Sequence, residues 1–428
     1  MKIFLITRGS QGDIYPYLAL ADALVKQGHE ITISLPRVFE KFAQAFNLNY
    51  TLQNYDDIST LLETTTNNRD LLAWMQRVTE QQFEEFIPIL EKHDILVATN
   101  TEFSAPSIAE YCGKPLIRTA YAPFIPGKKI PPPVMPWPYP NPVVTPKALW
   151  NMLNLGINVL TKNIINKNRK KRGMSQVKDL GDHAPGHAHN YLMYSPSLGN
   201  TDPAWKYTWD IGGYCFNDML PFEQEEFDKL ADFVNKDSKP TLFFTLGSCK
   251  TKKKDLLCEW LLDICSKRGY KFVVGSGWWQ TGATLAENAK NQDMYLLDGL
   301  IPHCRIFPLF DVIIHHGGCG TTHSASRAGK PQMVMPLFVD QHYWGKRVHD
   351  LGIGPRYGNV SRITRAQLET KVNDLIENSA YRKNAADLQE KIRGEHGVQA
   401  LCSHIVRVHQ ETLSRKYADK TIGEEQVG

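Results

Sequence analysis

Lys2 to Thr7 is a short apolar run that stops at Gly9, and from Pro16 onward Leu18, Leu20, Ala21, Leu24 and Val25 recur at helical spacing until Gly28. This reads as strand, glycine loop and helix. Glu30 to Leu35, Asp94 to Thr99 and Pro115 to Ala120 read as further strands, with helical stretches such as Phe83 to Lys92 and Ala105 to Cys112 between them. The pattern restarts at Thr241: Thr241 to Leu246, Lys271 to Gly275, Met294 to Leu297, Val312 to His315 and Gln332 to Met335 are strand candidates separated by helical segments. Such alternation covers both faces of a parallel sheet, so the expected class is α/β, a tandem of two lobes. Leu220 to Pro240 is acidic and polar and reads as a linker, dividing 1–219 from 241–395, with a C-terminal helix and tail over 396–428 expected to pack back on the first lobe.

Two stretches break the alternation. Pro123 to Pro146 is dense in proline and carries Trp137 and Tyr139, which predicts an extended loop of the kind that forms lids or binding walls. Ala148 to Thr161 follows as an apolar helix and runs into Lys162, Lys167, Arg169, Lys170, Lys171 and Arg172, either a solvated face or a lipid-facing one. The last dozen residues read as frayed.

Composition narrows the class. With 42% hydrophobic and 22% charged residues the chain can build large cores, and a net charge of +4 lacks the basic excess of a dedicated nucleic-acid binder. The N-terminal apolar run ends at Arg8, too short for a secretory signal, and no apolar stretch is long enough to span a bilayer. Eight cysteines without a C-x-x-C pair read as free thiols of a cytoplasmic protein.

Chemistry concentrates at the ends of predicted strands. Val312 to His315 runs through His316, Gly317, Gly318, Cys319 and Gly320 to Thr321, where glycines admit an anion to the backbone and a helix N-terminus offers unpaired N–H groups. The same residues would also make an ordinary strand-to-helix turn. A dinucleotide fingerprint fits less well, because His323 stands where a third glycine belongs. Gly247-Ser248 ends the first strand of that lobe, where the Ser248 hydroxyl is either a phosphate donor or part of a plain turn. Asp340 and Gln341 follow another strand, as sugar-hydroxyl partners or as a helix cap. In the first lobe Gly9, Ser10, Gln11 and Gly12 lead to Asp13, again a cap or a carboxylate base at a cleft. His183, His187 and His189 fall in an Ala/Pro/Gly loop with nothing to orient them, which argues against zinc, and no Asp-x-Asp pair supports another metal.

Together these segments resemble the family-one, GT-B-fold nucleotide-sugar glycosyltransferases, in the branch of the sterol glucosyltransferases and bacterial natural-product glycosyltransferases. The carriers are Gly9 to Pro16, Gly213 to Asp218, Leu246-Gly247-Ser248, Ser276-Gly277-Trp278, Ile301-Pro302-His303, His315 to Thr322, and Pro336 to Gln341 with Trp344-Gly345. The resemblance implies GT-B architecture, two Rossmann-like α/β lobes with a cleft between them, a UDP-sugar in the second lobe and the acceptor in the first. It places His315, Ser248, Gly318, Gly320 and Thr321 on the diphosphate, with Gly317 also in the donor site, Trp278, Ile301 and His303 around the uracil, and Asp340 and Gln341 on the sugar. Gly9, Ser10 and Gly12 would form the cleft loop, and Asn100, Phe124, Trp137 and Tyr139 the acceptor wall. Plant members carry a histidine where Asp13 stands, with an aspartate partner near Asn100, so Asp13 itself is the expected base, made more basic by burial in the closed cleft. The plant ribose-binding glutamate is also missing, with His323 near its place.

The expected activity is therefore inverting, metal-independent and cofactor-free transfer of a hexose, most simply glucose, from a UDP-sugar to a hydroxyl of a lipophilic sterol, polyphenol or macrolide-like acceptor, with weak peripheral membrane contact. The rival expectations are a nucleotide-sugar epimerase or hydrolase on the same fold, and a non-catalytic lipid-binding protein.

Overall fold

The computed structural model describes all residues except 54–67, 136–142, 221–222, 248, 250, 252, 278–292, 299–301 and 426–428. Of the expected site residues, Ser248, Trp278, Ile301, Trp137 and Tyr139 lie outside the described residues.

Two parallel sheets form the frame. The first has seven strands, β1 (Lys2–Ile6), β2 (Glu30–Pro36), β3 (Asn49–Gln53), β4 (Ile95–Thr99), β5 (Leu116–Ala120), β6 (His189–Leu192) and β7 (Trp209–Ile211), in the order β3-β2-β1-β4-β5-β6-β7. The second has β8 (Thr241–Thr245), β9 (Lys271–Gly277), β10 (Met294–Asp298), β11 (Val312–His315) and β12 (Gln332–Val334), in the order β10-β9-β8-β11-β12. Every pairing is parallel, for example Ile3 beside Ile31 and Ile95, and Ile314 beside Phe244 and Met333. The central strands are apolar and buried on both faces, as sheets covered by helices on both sides require. In each sheet the strand order reverses at one point, between β1 and β4 and between β8 and β11. Loops diverge there, opening a crevice at the carboxyl ends of the strands.

The structure differs from the sequence reading at several elements. β3, β6 and β7 are short, polar strands toward the sheet edges that no apolar run announced. The stretch read as a linker carries the helix Gln224–Asn235, whose Leu230 and Val234 are packed with Phe243, Val273 and Phe307. His183 lies in a short helix, Leu180–Gly186, and His189 opens β6, so the three histidines do not share a loop. The C-terminal helix extends over Gly397–Glu425 and lies against the Gln11–Lys26 helix, burying Leu401, Ile405 and Val408 with Leu20 and Leu24.

The lobes are joined by more than one strand of chain. One continuous core takes in Tyr194, Leu198 and Cys215 with Trp344, Val348 and Ile392 of the second lobe. Polar bonds cross the same seam: Asn200 N–H donates to Tyr343 Oη at 2.7 Å, and Arg347 Nε donates to the Leu198 carbonyl at 2.8 Å. Among the described residues, no helix is long and apolar enough to cross a membrane.

Candidate active site

The first-lobe half of the site is the turn from β1 into the Gln11–Lys26 helix. Gly9 adopts φ +121°, and a Cβ there would lie 2.4 Å from Asp13 Oδ2, so only glycine fits beside that carboxylate. Ser10 is the N-cap residue. Its backbone N–H and its hydroxyl both donate to Asp13 Oδ2, at 2.9 and 3.2 Å, which puts Asp13 at the third helical position of a capping box instead of at the cap. The Asp13 carbonyl accepts from Tyr121 Oη at 2.8 Å and Thr7 Oγ1 at 3.0 Å, which anchors the turn. Asp13 is half-buried and Gly12 is exposed. Asn100 follows β4, next to β1, where its N–H donates to the Thr119 carbonyl at 2.8 Å. Phe124 is half-buried against the first-lobe core beyond β5.

Arg8, Glu102 and Tyr121 escaped the sequence reading. The Arg8–Glu102 ion pair, 3.2 Å, lies at the carboxyl ends of β1 and β4, with Glu102 almost fully buried. Its sequence signal was only a charge on each side of two strand ends.

The second-lobe half is built on β8, β11 and β12. Gly318 is the N-cap of the Cys319–Arg327 helix and offers no side-chain cap. The first intrahelical bond runs from Thr322 N–H to the Gly318 carbonyl, so the amides of Cys319, Gly320 and Thr321 have no partner within the helix. That is a ready anion site. Gly317 has φ +91°, and a Cβ there would meet Val334 Cγ1 at 2.4 Å. A Cβ at Gly320 would lie 2.7 Å from Tyr214 Oη.

The two adjacent histidines have different surroundings. His315 is wholly buried: its Nε2 is 2.8 Å from Gln332 Oε1, and its Nδ1 accepts from Gly317 N–H at 3.0 Å. Both ring nitrogens are engaged inside the lobe, whereas a diphosphate contact was expected of His315. His316 instead lies between the two glycine loops, where a Cβ at Gly247 would approach its Cε1 at 2.7 Å and one at Gly318 its Nε2 at 2.5 Å. His316 Nδ1 is buried without a protein partner. Burial lowers the His316 pKa to about 3 and that of His315 to about 4, so both rings are neutral, and a neutral ring donates one hydrogen bond. His303 stacks on Phe307 with centroids 4.4 Å apart and is held neutral by burial, at about 3.

His323 is also committed. Its Nδ1 lies 2.7 Å from the Cys319 carbonyl, its Nε2 accepts from Ser195 N–H at 3.0 Å, and it stacks on Tyr214, so it joins the lobes and is closed to a ribose. Asp340 occupies the N-cap of the Gln341–Asp350 helix but does not cap it; its Oδ2 accepts from Trp344 Nε1 at 3.0 Å. Loss of solvation raises its pKa to about 6, against the lowering effect of the Trp344 bond. Gln341, expected on the sugar, is instead turned into its own loop: Oε1 accepts from the N–H groups of Leu337 (2.8 Å) and Phe338 (3.2 Å), and Nε2 faces Cys249 Sγ at 3.3 Å. Between them Val339 has φ +55°, a strained setting for a β-branched residue.

The two halves converge on the same helix N-terminus. The Cys319 thiol is pushed up first by burial, then by the negative charges of Asp340 and Asp13. Carboxylates from both lobes thus act on the thiol at the start of that helix, and the Gln11–Lys26 and Cys319–Arg327 helices pack together.

Elsewhere, Glu110, His183 and His187 have ligand atoms within 4.8 Å of one another. Arg169 takes both Glu110 oxygens, at 2.7 and 2.9 Å, and holds that carboxyl near 2, so the cluster is an ion-paired hub. All eight cysteines are unpaired.

A family profile described as the glycosyltransferase family 28 N-terminal domain matches residues 3–111, and one described as the erythromycin biosynthesis protein CIII-like C-terminal domain matches 289–406. Sterol 3-beta-glucosyltransferase UGT80A2 of Arabidopsis thaliana is 24% identical over 93% of this chain and 64% of its own length. A sterol 3-beta-glucosyltransferase of Candida albicans is 26% identical over 93% of this chain and 27% of its own length. The chain therefore spans less than two thirds of the first relative and about a quarter of the second. Among solved structures, the glycotransferase of kitacinnamycin is similar with a TM-score of 0.69 at 16% identity, over 95% of this chain and 98% of its own. Glycosyltransferase VinC in complex with dTDP is similar with a TM-score of 0.67 at 15% identity, over 96% of this chain and 100% of its own. With these two glycosyltransferase domain types in this order on two parallel-sheet lobes, the chain has the GT-B fold of a glycosyltransferase and is similar to sterol glucosyltransferases in sequence and to bacterial natural-product glycosyltransferases in fold.

Proposed function

We propose that this protein transfers a hexose, glucose in the simplest case, from a UDP-sugar to the hydroxyl of a sterol-like lipophilic acceptor, with inversion and without a metal. The observation that carries the reading is the packing of the Gln11–Lys26 helix, which bears Asp13, against the Cys319–Arg327 helix, whose Cys319 thiol feels the charges of both Asp13 and Asp340. The diphosphate binds at the amides of Cys319, Gly320 and Thr321, with neutral His316 as a side-chain donor. Charge that develops on the leaving diphosphate is met there by fixed N–H dipoles, the role a metal ion plays in other sites. Asp340 accepts a hydrogen bond from a sugar hydroxyl.

The acceptor enters from the first lobe beside Asp13. Its oxygen forms a bond to the anomeric carbon on the face opposite the diphosphate, the bond from that carbon to the diphosphate oxygen breaks, and the hydroxyl proton passes to Asp13. Attack from the opposite face inverts the centre. The capping bonds from Ser10 hold one carboxylate oxygen in place, which orients the base before substrate arrives.

The sterol class rests on the curated relatives, which are sterol glucosyltransferases, and the eight free thiols suit a reducing cytoplasmic setting. A lipophilic acceptor also implies work at a membrane surface. Incubation with UDP-glucose, or with dTDP-glucose in view of the nucleotide held by VinC, and a panel of sterols, polyphenols and macrolides, followed by mass spectrometry, tests the reading. A sterol glycoside with the inverted anomer is expected. Free glucose or an isomerised sugar nucleotide without any glycoside would overturn it.

A further inference from the structure

The helix Pro146–Ile157 and the π-turn Asn158–Lys162 that prolongs it contain the apolar stretch Ala148 to Thr161. In the structure only Leu149, Trp150 and Thr161 of this stretch are buried. Leu153 and Ile157 are partly buried, and four other large apolar side chains point outward: Met152 is 52% exposed, Leu155 66%, Val159 69% and Leu160 37%. Residues 152, 155 and 159 are spaced three and four apart, so they share one side of the helix. Val143, just ahead of it, is 86% exposed. A stripe of this kind on the outside of a water-soluble fold calls for a partner.

The charges beside the stripe indicate which partner. In the following helix, Asn163–Lys171, Arg169 is directed inward onto Glu110, Lys167 pairs with Glu80, and Arg172 just beyond it pairs with Glu84. Lys170 and Lys171 are exposed, as is Lys147 at the other end of the stripe, and among the described residues none of the three enters an ion pair. Lys171 lies near enough to Glu80 to lower its pKa, but an outward aliphatic stripe with exposed cations outside ion pairs at both ends fits an interfacial helix lying on anionic headgroups. A second copy fits worse: two such stripes packed antiparallel would bring Lys170 and Lys171 of one chain toward Lys147 of the other.

We propose that the Met152, Leu155 and Val159 face, with Lys147, Lys170 and Lys171, is a docking surface for an anionic lipid bilayer. The buried side of the same helix is tied to the acceptor-lobe loop through Trp150 Nε1, which donates to the Ile130 carbonyl at 2.8 Å. Docking there places the first lobe against the membrane. The benefit of that placement rests on the lipophilic-acceptor reading above; the docking itself does not.

Flotation of the full chain with vesicles of phosphatidylcholine alone, or with about a third phosphatidylserine, tests the face without donor or turnover. The chain should bind the acidic vesicles, weakly bind the neutral ones, and lose binding as salt rises. Leu155→Glu with Val159→Glu should reduce acidic-vesicle binding by about tenfold or more, with melting temperature and UDP affinity unchanged, because these side chains are outside the fold. Lys170→Glu with Lys171→Glu should reduce it too, and selectively on acidic vesicles. The proposal is overturned if wild-type chain ignores acidic vesicles, if the apolar double variant binds as well as wild type, or if that variant instead turns a dimer into a monomer. Because vesicle binding is read on its own, a protein that docks but forms no glycoside would count against the proposed function and leave the docking face standing.

Discussion

Replacing His316 and His315 separately by alanine should produce two distinct defects, although the residues are adjacent. His316 Nδ1 has no protein partner, and its ring lies between Gly247 and Gly318 at the anion loop. A hydrogen bond to a charged group contributes about 1.5–3 kcal/mol, so His316→Ala should weaken UDP binding roughly ten- to hundredfold. No protein hydrogen bond to Nδ1 is broken. His315→Ala, by contrast, strands the Gln332 carbonyl and the Gly317 N–H in the interior. Each buried unsatisfied group costs about 1–3 kcal/mol, so this variant should lose about 2–6 kcal/mol of second-lobe stability. Isothermal titration with UDP and urea denaturation of both variants separate the two effects. The reasoning is refuted if His316→Ala binds UDP like wild type, or if His315→Ala weakens UDP binding while unfolding at the wild-type urea concentration.

Two further outcomes follow from the second-lobe geometry. Gln341→Ala removes the acceptor of the Leu337 and Phe338 amides, so it should lower stability and UDP affinity together, with Gln341→Glu intermediate because it keeps an acceptor and loses the donor to Cys249; a change confined to the choice among UDP-hexoses, at unchanged melting temperature, would mark Gln341 as a sugar contact instead. Burial lowers the pKa values of His303, His316 and His323 from 6.5 to about 3 and that of His315 to about 4, so the unfolded chain takes up protons that the folded chain refuses as pH falls below 6.5. Stability should therefore be full above that value and decline toward pH 4, with Asp340, raised to about 6, opposing as one group against four; urea midpoints that stay flat over this range would contradict the burial of these rings.

Much of the frame was legible because its central strands are continuous apolar runs buried on both faces, which few other elements produce. β3, β6 and β7 were not, since Asn49–Gln53, His189–Leu192 and Trp209–Ile211 mix polar and aromatic residues and gain their strand character from a neighbour's backbone. Gln224–Asn235 looked like a linker because its acidic face outnumbers the two residues that are fully packed, Leu230 and Val234. The glycine loops were legible at both strand-order reversals. The choice between His315 and His316 was not: successive residues leaving a strand face opposite ways, and a shift of one exchanges interior for cleft. The resemblance pointed to His315, whose ring bonds to Gln332 and Gly317, while His316 lies between the glycine loops with Nδ1 unpartnered. Likewise the apolar Ala148 to Thr161 stretch was visible as a helix, but which neighbours covered it depended on long-range packing.

The central claim is that Asp13 is the base and not merely part of a capping box, and Asp13→Asn tests it most directly. Asparagine presents a carbonyl oxygen to the Ser10 N–H and hydroxyl, so the cap, the melting temperature and UDP affinity should persist. It cannot accept the acceptor's proton, and losing a general base typically costs about a hundredfold to ten-thousandfold in rate. Turnover of UDP-glucose with a sterol acceptor should therefore fall at least a hundredfold in a protein that still folds and still binds UDP. Near-normal turnover by Asp13→Asn would contradict the account and leave Asp13 as a structural residue of the first helical turn.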